Sequence, residues 1–243
     1  MGIERPLLEQ LIKLFCDDFY NKQSLPFIAK NSIPIVWFGN LEQYSKSKAK
    51  VLTISINPSC IEFPRWGKQR FKDLTVIRNA ILRKEYPVDI MVRNYNDYFK
   101  FNPYMQWFNF YERRLNEMDC SYFDTKSTNT AIHIDMHSAI ATDPTWSRLS
   151  DFEREKIKNH NLFKSLLQML NPDIALISVA LPEFESGIQP GLPLKEWENP
   201  NHNCGRILLY RKHGIKFLHG RNMNGQPFGA CKITEEIKRS IFD

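Results

Sequence analysis

What this chain lacks narrows its chemistry before any motif is read. Its five cysteines (Cys16, Cys60, Cys120, Cys204 and Cys231) are odd in number and scattered, with no Cys-x-x-Cys pair. Zinc-ribbon and simple iron–sulfur spacings are therefore excluded. Reduced thiols are the expected state, in a cytoplasmic setting or, in a eukaryote, a nuclear one. No run approaches about 18 apolar residues, so no membrane span is expected. The N-terminus is charged and amphipathic, and no signal peptide is expected there. A Gly-x-Ser-x-Gly elbow, a Gly-rich lysine loop and a zinc motif are all missing, which disfavours hydrolases built on those devices. Linkers, repeats and a long basic tail are missing too.

What is present is a sizeable core and an excess of rings. Hydrophobic residues make up 42% of 243 residues, enough for one large domain. Aromatics reach 13%, more than a core alone needs, which suits a site that stacks flat groups. The formal charge of +6 favours polyanionic partners without proving them.

Strand and helix signals alternate along the chain. Residues 4–20 have the spacing of an amphipathic helix, expected to cap the sheet. Val51–Ile56 reads as a buried β-branched strand, stopped by Asn57-Pro58-Ser59. Helical patterns follow at 73–84, 89–99 and 103–118. Thr130–Met136 reads as a second strand. A helix over 150–170 opens with a Ser150/Glu153 capping box. Asp173–Ala180 is a third strand, followed by a Pro/Gly-rich loop over 182–200. Arg206–Tyr210 and Ile215–His219 are strands joined by a turn at His213-Gly214. A Gly/Asn-rich loop over 220–229 and a helix from Thr234 to Phe242 close the chain. This order predicts an α/β fold of three αβα layers, with a largely parallel sheet of four to five strands. One domain over 1–243 is expected, with 1–45 as its N-terminal helical cap.

Three expected strands end in polar residues: Asn57, Asp135 and His219. In open α/β sheets, ligands bind beyond the carboxyl ends of the strands. Each residue also has an ordinary role open to it. Asn57 could form a turn, Asp135 could cap a loop, and His219 could be a satisfied strand-end histidine. Together an amide, a carboxylate and an imidazole define a site hypothesis.

These residues carry a resemblance. Over about residues 48–240 the sequence resembles the uracil-DNA glycosylase superfamily. The carriers are Leu52–Ser59, the strand His133–Met136 with its Thr142-Asp143-Pro144 loop, the Pro172–Ala180 strand, and Phe217-Leu218-His219 entering a small-residue loop. Ser55 stands where the family has Gly, and Gly220-Arg221 replaces its usual Pro-Ser. The resemblance implies a monofunctional DNA glycosylase that hydrolyses the N-glycosidic bond of a damaged or modified base. It assigns Asn57 to the water and His219 to the leaving base. Phe63 and Asp135 would recognise the base. Ser59, Arg65, Lys68 and Arg221 would hold phosphates, and Met223 would wedge the stack. It implies DNA as partner, with no metal and no cofactor; a monomer is the default expectation. Asp135 stands where the family often has Asn. An ionised carboxylate only accepts hydrogen bonds, so it suits an amino-bearing base better than uracil O4. The alternative expectation is a catalytically weakened module of the same fold that binds DNA or a protein.

Overall fold

The computed structural model describes residues 3–64, 69–123, 127–198, 206–221, 226–229 and 231–242. The helices are α1 (Arg5–Lys22), α2 (Leu41–Lys46), α3 (Leu74–Leu82), α4 (Val88–Asn96), α5 (Tyr98–Phe101), α6 (Met105–Asn116), α7 (Asp151–Ile157), α8 (His160–Leu170), α9 (Leu181–Ile188) and α10 (Glu235–Phe242). The strands are β1 (Val51–Ser55), β2 (Cys120–Ser121), β3 (Asn129–Thr130), β4 (Ile132–Asp135), β5 (Ile174–Ile177), β6 (Lys195–Glu198), β7 (Arg206–Lys212) and β8 (Ile215–Gly220). The fold is mixed α/β, compatible with three αβα layers. Its main sheet has six strands in the order β4-β1-β5-β8-β7-β6 rather than four or five.

The chain gathers into two units. The first holds Met1–Gly39, Ile56–Tyr104 and Ile134–Leu170; the second holds Asn40–Ser55, Met105–His133 and Asn171–Asp243.

The second unit carries most of the sheet. β1 pairs in parallel with β5, from Val51 opposite Ile174 to Ile54 opposite Ile177. β5 pairs in parallel with β8, which sets Ile177 opposite His219. Every residue of β1 and β5 is buried, as expected where both faces of a parallel strand are covered. β7 and β8 form an antiparallel hairpin. His213 (φ 50°) and Gly214 (φ 82°) supply the two left-handed positions that its tight turn requires. β6 is an exposed edge strand, antiparallel to β7. The expected loop over 182–200 thus contains both α9 and β6. Pro182 lies in the first turn of α9, where its missing N–H costs nothing.

Beyond β8 the second unit closes on itself around a glycine. Phe228 is fully buried at φ 60°, and its N–H donates to Ser178 Oγ at 3.0 Å. A Cβ built on Gly220 would lie 2.2 Å from the Phe228 ring. Gly220→Ala is therefore expected to destabilise the protein by about 1–3 kcal/mol through overpacking. Urea denaturation of the variant beside the wild type measures this.

In the first unit, α1 buries Leu8, Leu11, Ile12, Phe15, Cys16 and Phe19. It packs against α3, α4 and α8, so its apolar stripe is satisfied by helices. The expected single helix over 150–170 is two. Ser150 and Glu153 form the capping box of α7, and Asn159 Oδ1 accepts from Leu162 N–H to start α8. The segment after α1 pairs with a distant loop. Ala29 and Ile35 donate to the carbonyls of Ala141 and Ala139, and Ile28 bridges to Thr142.

Candidate functional site

The first unit brings two sequence motifs together although they are some 80 residues apart in sequence. The chain leaves β1 at Ile56, whose carbonyl accepts from His137 N–H at 2.9 Å. Ser59 then forms a parallel bridge with Thr142. Between them, the Asn57 amide nitrogen faces three acceptors. These are Pro58 O at 3.0 Å, Thr142 Oγ1 at 3.2 Å and Ile140 O at 3.4 Å. Two of these are carbonyls, which only accept, and that fixes the amide's orientation. Asn57 Oδ1 is left without a partner among the described residues, on a partly exposed side chain. The arrangement is a pre-oriented acceptor for one water O–H.

Ser59 Oγ accepts from Ile61 N–H and caps a short 3₁₀ turn, Cys60–Glu62. Phe63 is buried against Phe71, with ring centroids 5.9 Å apart and planes 23° apart. One of its faces is therefore already used in the core. Asp135 ends β4 and is buried. Two residues later, His137 is stacked on both Trp146 and His160.

Glu62, which no sequence pattern singles out, is a buried ionisable group beside this loop. Its side chain is only 4% exposed, and its Oε2 accepts the Tyr98 hydroxyl. The same oxygen lies 3.8 Å from Arg70 Nε. Arg70 is itself anchored: it donates to Ile61 O and Asn102 O, each at 2.9 Å, and lies 5.0 Å over the Tyr104 ring. Glu62 Oε1 has no partner among the described residues. Burial pushes the Glu62 carboxyl up to about 7; Asp135 adds to the rise, while Tyr98 and Arg70 oppose it. The only signal in the sequence is position, five residues past Asn57 and beside Phe63.

A raised carboxyl makes stability depend on pH with a definite sign. Between about 4.5 and 7 the folded state holds the Glu62 proton and the unfolded chain does not. The stability this group contributes is full below about 4.5 and lost as pH rises to about 7. Glu62→Gln has no such loss. Between pH 5 and pH 8 the stability of the variant relative to wild type is expected to rise by about 2 kcal/mol. Chemical denaturation of both proteins at the two pH values measures it.

His219 belongs to the second unit. Its ring is buried and stacked on Phe184 at 5.1 Å and 25°. Nε2 lies 3.0 Å from the Val179 carbonyl, so Nε2 carries the proton and donates. Desolvation lowers the pKa of His219, with Arg206 adding to the fall and the Val179 bond opposing it. The imidazole is thus held neutral. The donor that the family resemblance assigns to a leaving base is committed here to Val179.

Arg221 is exposed just beyond β8. Arg65, Lys68 and Met223 lie outside the described residues. No helix among the described residues is long and apolar enough to cross a membrane. No protein-family model and no curated protein matches the chain.

Proposed function

We propose that the chain is a monofunctional DNA glycosylase-like hydrolase that excises a damaged or modified base. The observation that carries this is the Asn57 amide, with Nδ2 fixed on Ile140 and Thr142 and Oδ1 open. Cleaving an N-glycosidic bond builds positive charge on the sugar and negative charge on the base. Such a reaction needs little deprotonation of the water early on. It needs the water held in place, which an amide oxygen does. Asp135 accepts from an exocyclic amino group and disfavours uracil O4. His219, held neutral, serves the leaving base once its Nε2–H exchanges Val179 for the base oxygen. Ser59, Arg65, Lys68 and Arg221 contact phosphates, and Met223 takes the place of the extruded base. The protein acts as a monomer on DNA, in the cytoplasm or, in a eukaryote, the nucleus.

The committed His219 donor, together with Phe228 packed where a residue larger than Gly220 would stand, favours one second reading. In it, the chain is a module that binds DNA or protein and no longer cleaves.

One assay separates the two. The protein is incubated with oligonucleotides that each carry a single modified base, and alkali-labile abasic sites are counted. Abasic product on at least one amino-bearing base is expected. Tight binding with no abasic product on any base would leave the module.

A further inference from the structure

Resting on the reading that the chain works on DNA, we infer that a small basic cleft beside α4 seats one phosphate of the nucleic-acid backbone, with Lys72 and Arg93 as its donors and the buried Arg70 in its wall.

The cleft lies wholly within the first unit, between the loop that leads into α3 and the helices α4 and α5. Its volume is about 60 Å³. That is room for about four waters, the place of one tetrahedral anion. The walls are held before any ligand arrives. Gln69 Nε2 donates to the carbonyls of Phe71 at 2.7 Å and Lys72 at 2.8 Å, which closes the loop on itself. Asn94 ties that loop to α4. Its Oδ1 accepts from Asp73 N–H at 3.1 Å, and its Nδ2 donates to Asp73 Oδ2 at 2.8 Å. A wall fixed in this way has little ordering left to lose on binding.

The lining carries three cations, Arg70, Lys72 and Arg93, against two carboxylates, Asp73 and Asp97. Asp73 is engaged by Asn94. Asp97 faces Lys72 at 3.9 Å and Lys100 at 3.8 Å, both beyond hydrogen-bond reach. Lys100 continues to face Asp97 when Lys72 turns to a ligand. Lys72 Nζ lies 5.5 Å over the Phe101 ring and donates to no acceptor among the described residues. The Arg93 guanidinium is exposed and has neither a hydrogen bond nor an ion pair among the described residues. Arg70 is buried. Its Nε and Nη1 donate to Ile61 O and Asn102 O, while Nη2 donates to nothing among the described residues.

Unused cationic donors around a preformed cleft of this size match an oxyanion. A phosphate accepts from a guanidinium fork and an ammonium at the same time. Arg70 also sets where the cleft lies. Its Nε holds Ile61 O, and Ile61 N–H donates to Ser59 Oγ, two residues from Asn57. A phosphate in the cleft is therefore held on the same loop as the Asn57 amide.

The test reads binding. Affinities for a labelled oligonucleotide, single-stranded and duplex, are measured over a salt series. The proteins are the wild type, Lys72→Gln, Arg93→Gln and, as a control for bulk charge, Lys164→Gln on α8. Urea midpoints check that all four are equally folded. Lys72→Gln and Arg93→Gln are each expected to bind about 5-fold more weakly at low salt and to lower the slope of log affinity against log salt by about 1, with Lys164→Gln unchanged. An uncharged methylphosphonate is then moved along the strand, one linkage at a time. One position is expected to weaken the wild type about 5-fold and to have no further effect on Arg93→Gln. Unchanged slopes in both cleft variants, an equal loss in Lys164→Gln, identical methylphosphonate profiles in wild type and Arg93→Gln, or no oligonucleotide binding at all overturns the inference. Binding of inorganic phosphate that Arg93→Gln loses while its oligonucleotide affinity stays at wild type would make this a free-phosphate site and overturn the backbone assignment. Cleft-dependent binding without abasic product in the cleavage assay would remove the hydrolase reading alone. Abasic product with unchanged salt slopes would remove the cleft alone.

Discussion

Asn57→Ala is expected to slow base release by about 100-fold or more while leaving DNA affinity within a few-fold of wild type. The size follows from what is removed. The amide oxygen is the acceptor that would orient the attacking water. The nitrogen side does contribute. Its donations to Ile140 and Thr142 tie the loop after β1 to the loop after β4. Asn57→Asp separates these two functions. A carboxylate would face the carbonyls of Pro58 and Ile140, acceptor against acceptor. That variant is expected to lose about 1–3 kcal/mol of stability as well as activity. Single-turnover rates, affinities and melting curves on both variants make the comparison. A loss of rate in Asn57→Ala that merely tracked a loss of folded protein would leave Asn57 a turn residue.

Arg70→Leu is expected to cost about 3–5 kcal/mol. Its guanidinium holds the carbonyls of Ile61 and Asn102, which are 41 residues apart in the chain, and faces the buried Glu62. Removing it takes the donor from both carbonyls and leaves the buried Glu62 carboxyl without its cation. The remaining carboxyl answers by keeping its proton to higher pH. The double variant Arg70→Leu/Glu62→Leu is expected to recover part of the loss, because the uncompensated carboxyl is gone. Urea denaturation of the two single variants and the double variant isolates the pair's coupling. Additive losses would mean that Arg70 acts only through the loop carbonyls.

How much of this was legible depended on whether local chemistry and burial agreed. Val51–Ser55 is rich in β-branched residues, and it is a fully buried parallel strand. His213-Gly214 sits between two strand patterns and is the hairpin turn. Ser150 and Glu153 announce a helix start that the structure has. The misses have physical causes. Pro182 reads as a loop residue, yet a proline is harmless in the first turn of α9. Lys195-Glu196-Trp197-Glu198 has no apolar face because β6 is an edge strand open to solvent. Apolar spacing continues across Lys158-Asn159, which hides the break between α7 and α8.

The site divides in the same way. Asn57 and Asp135 were legible because each follows a strongly apolar strand. The bonds that orient Asn57 come from Ile140 and Thr142, which no local pattern connects to it. Glu62 was invisible because a lone Glu in a loop reads as a solvated charge. Only the fold shows it buried between Tyr98 and Arg70. His219 was legible as a strand-end imidazole, but the acceptor for its proton, a backbone carbonyl 40 residues away, was not.

Base excision as proposed breaks the glycosidic bond and leaves the DNA backbone whole. Mass spectrometry of a single-turnover reaction on an oligonucleotide bearing one amino-type modified base tests it most directly. Free base and an intact abasic strand are expected in equal amounts, formed by the wild type and about 100-fold more slowly by Asn57→Ala. Unchanged oligonucleotide at saturating protein, on every base tried, would contradict it.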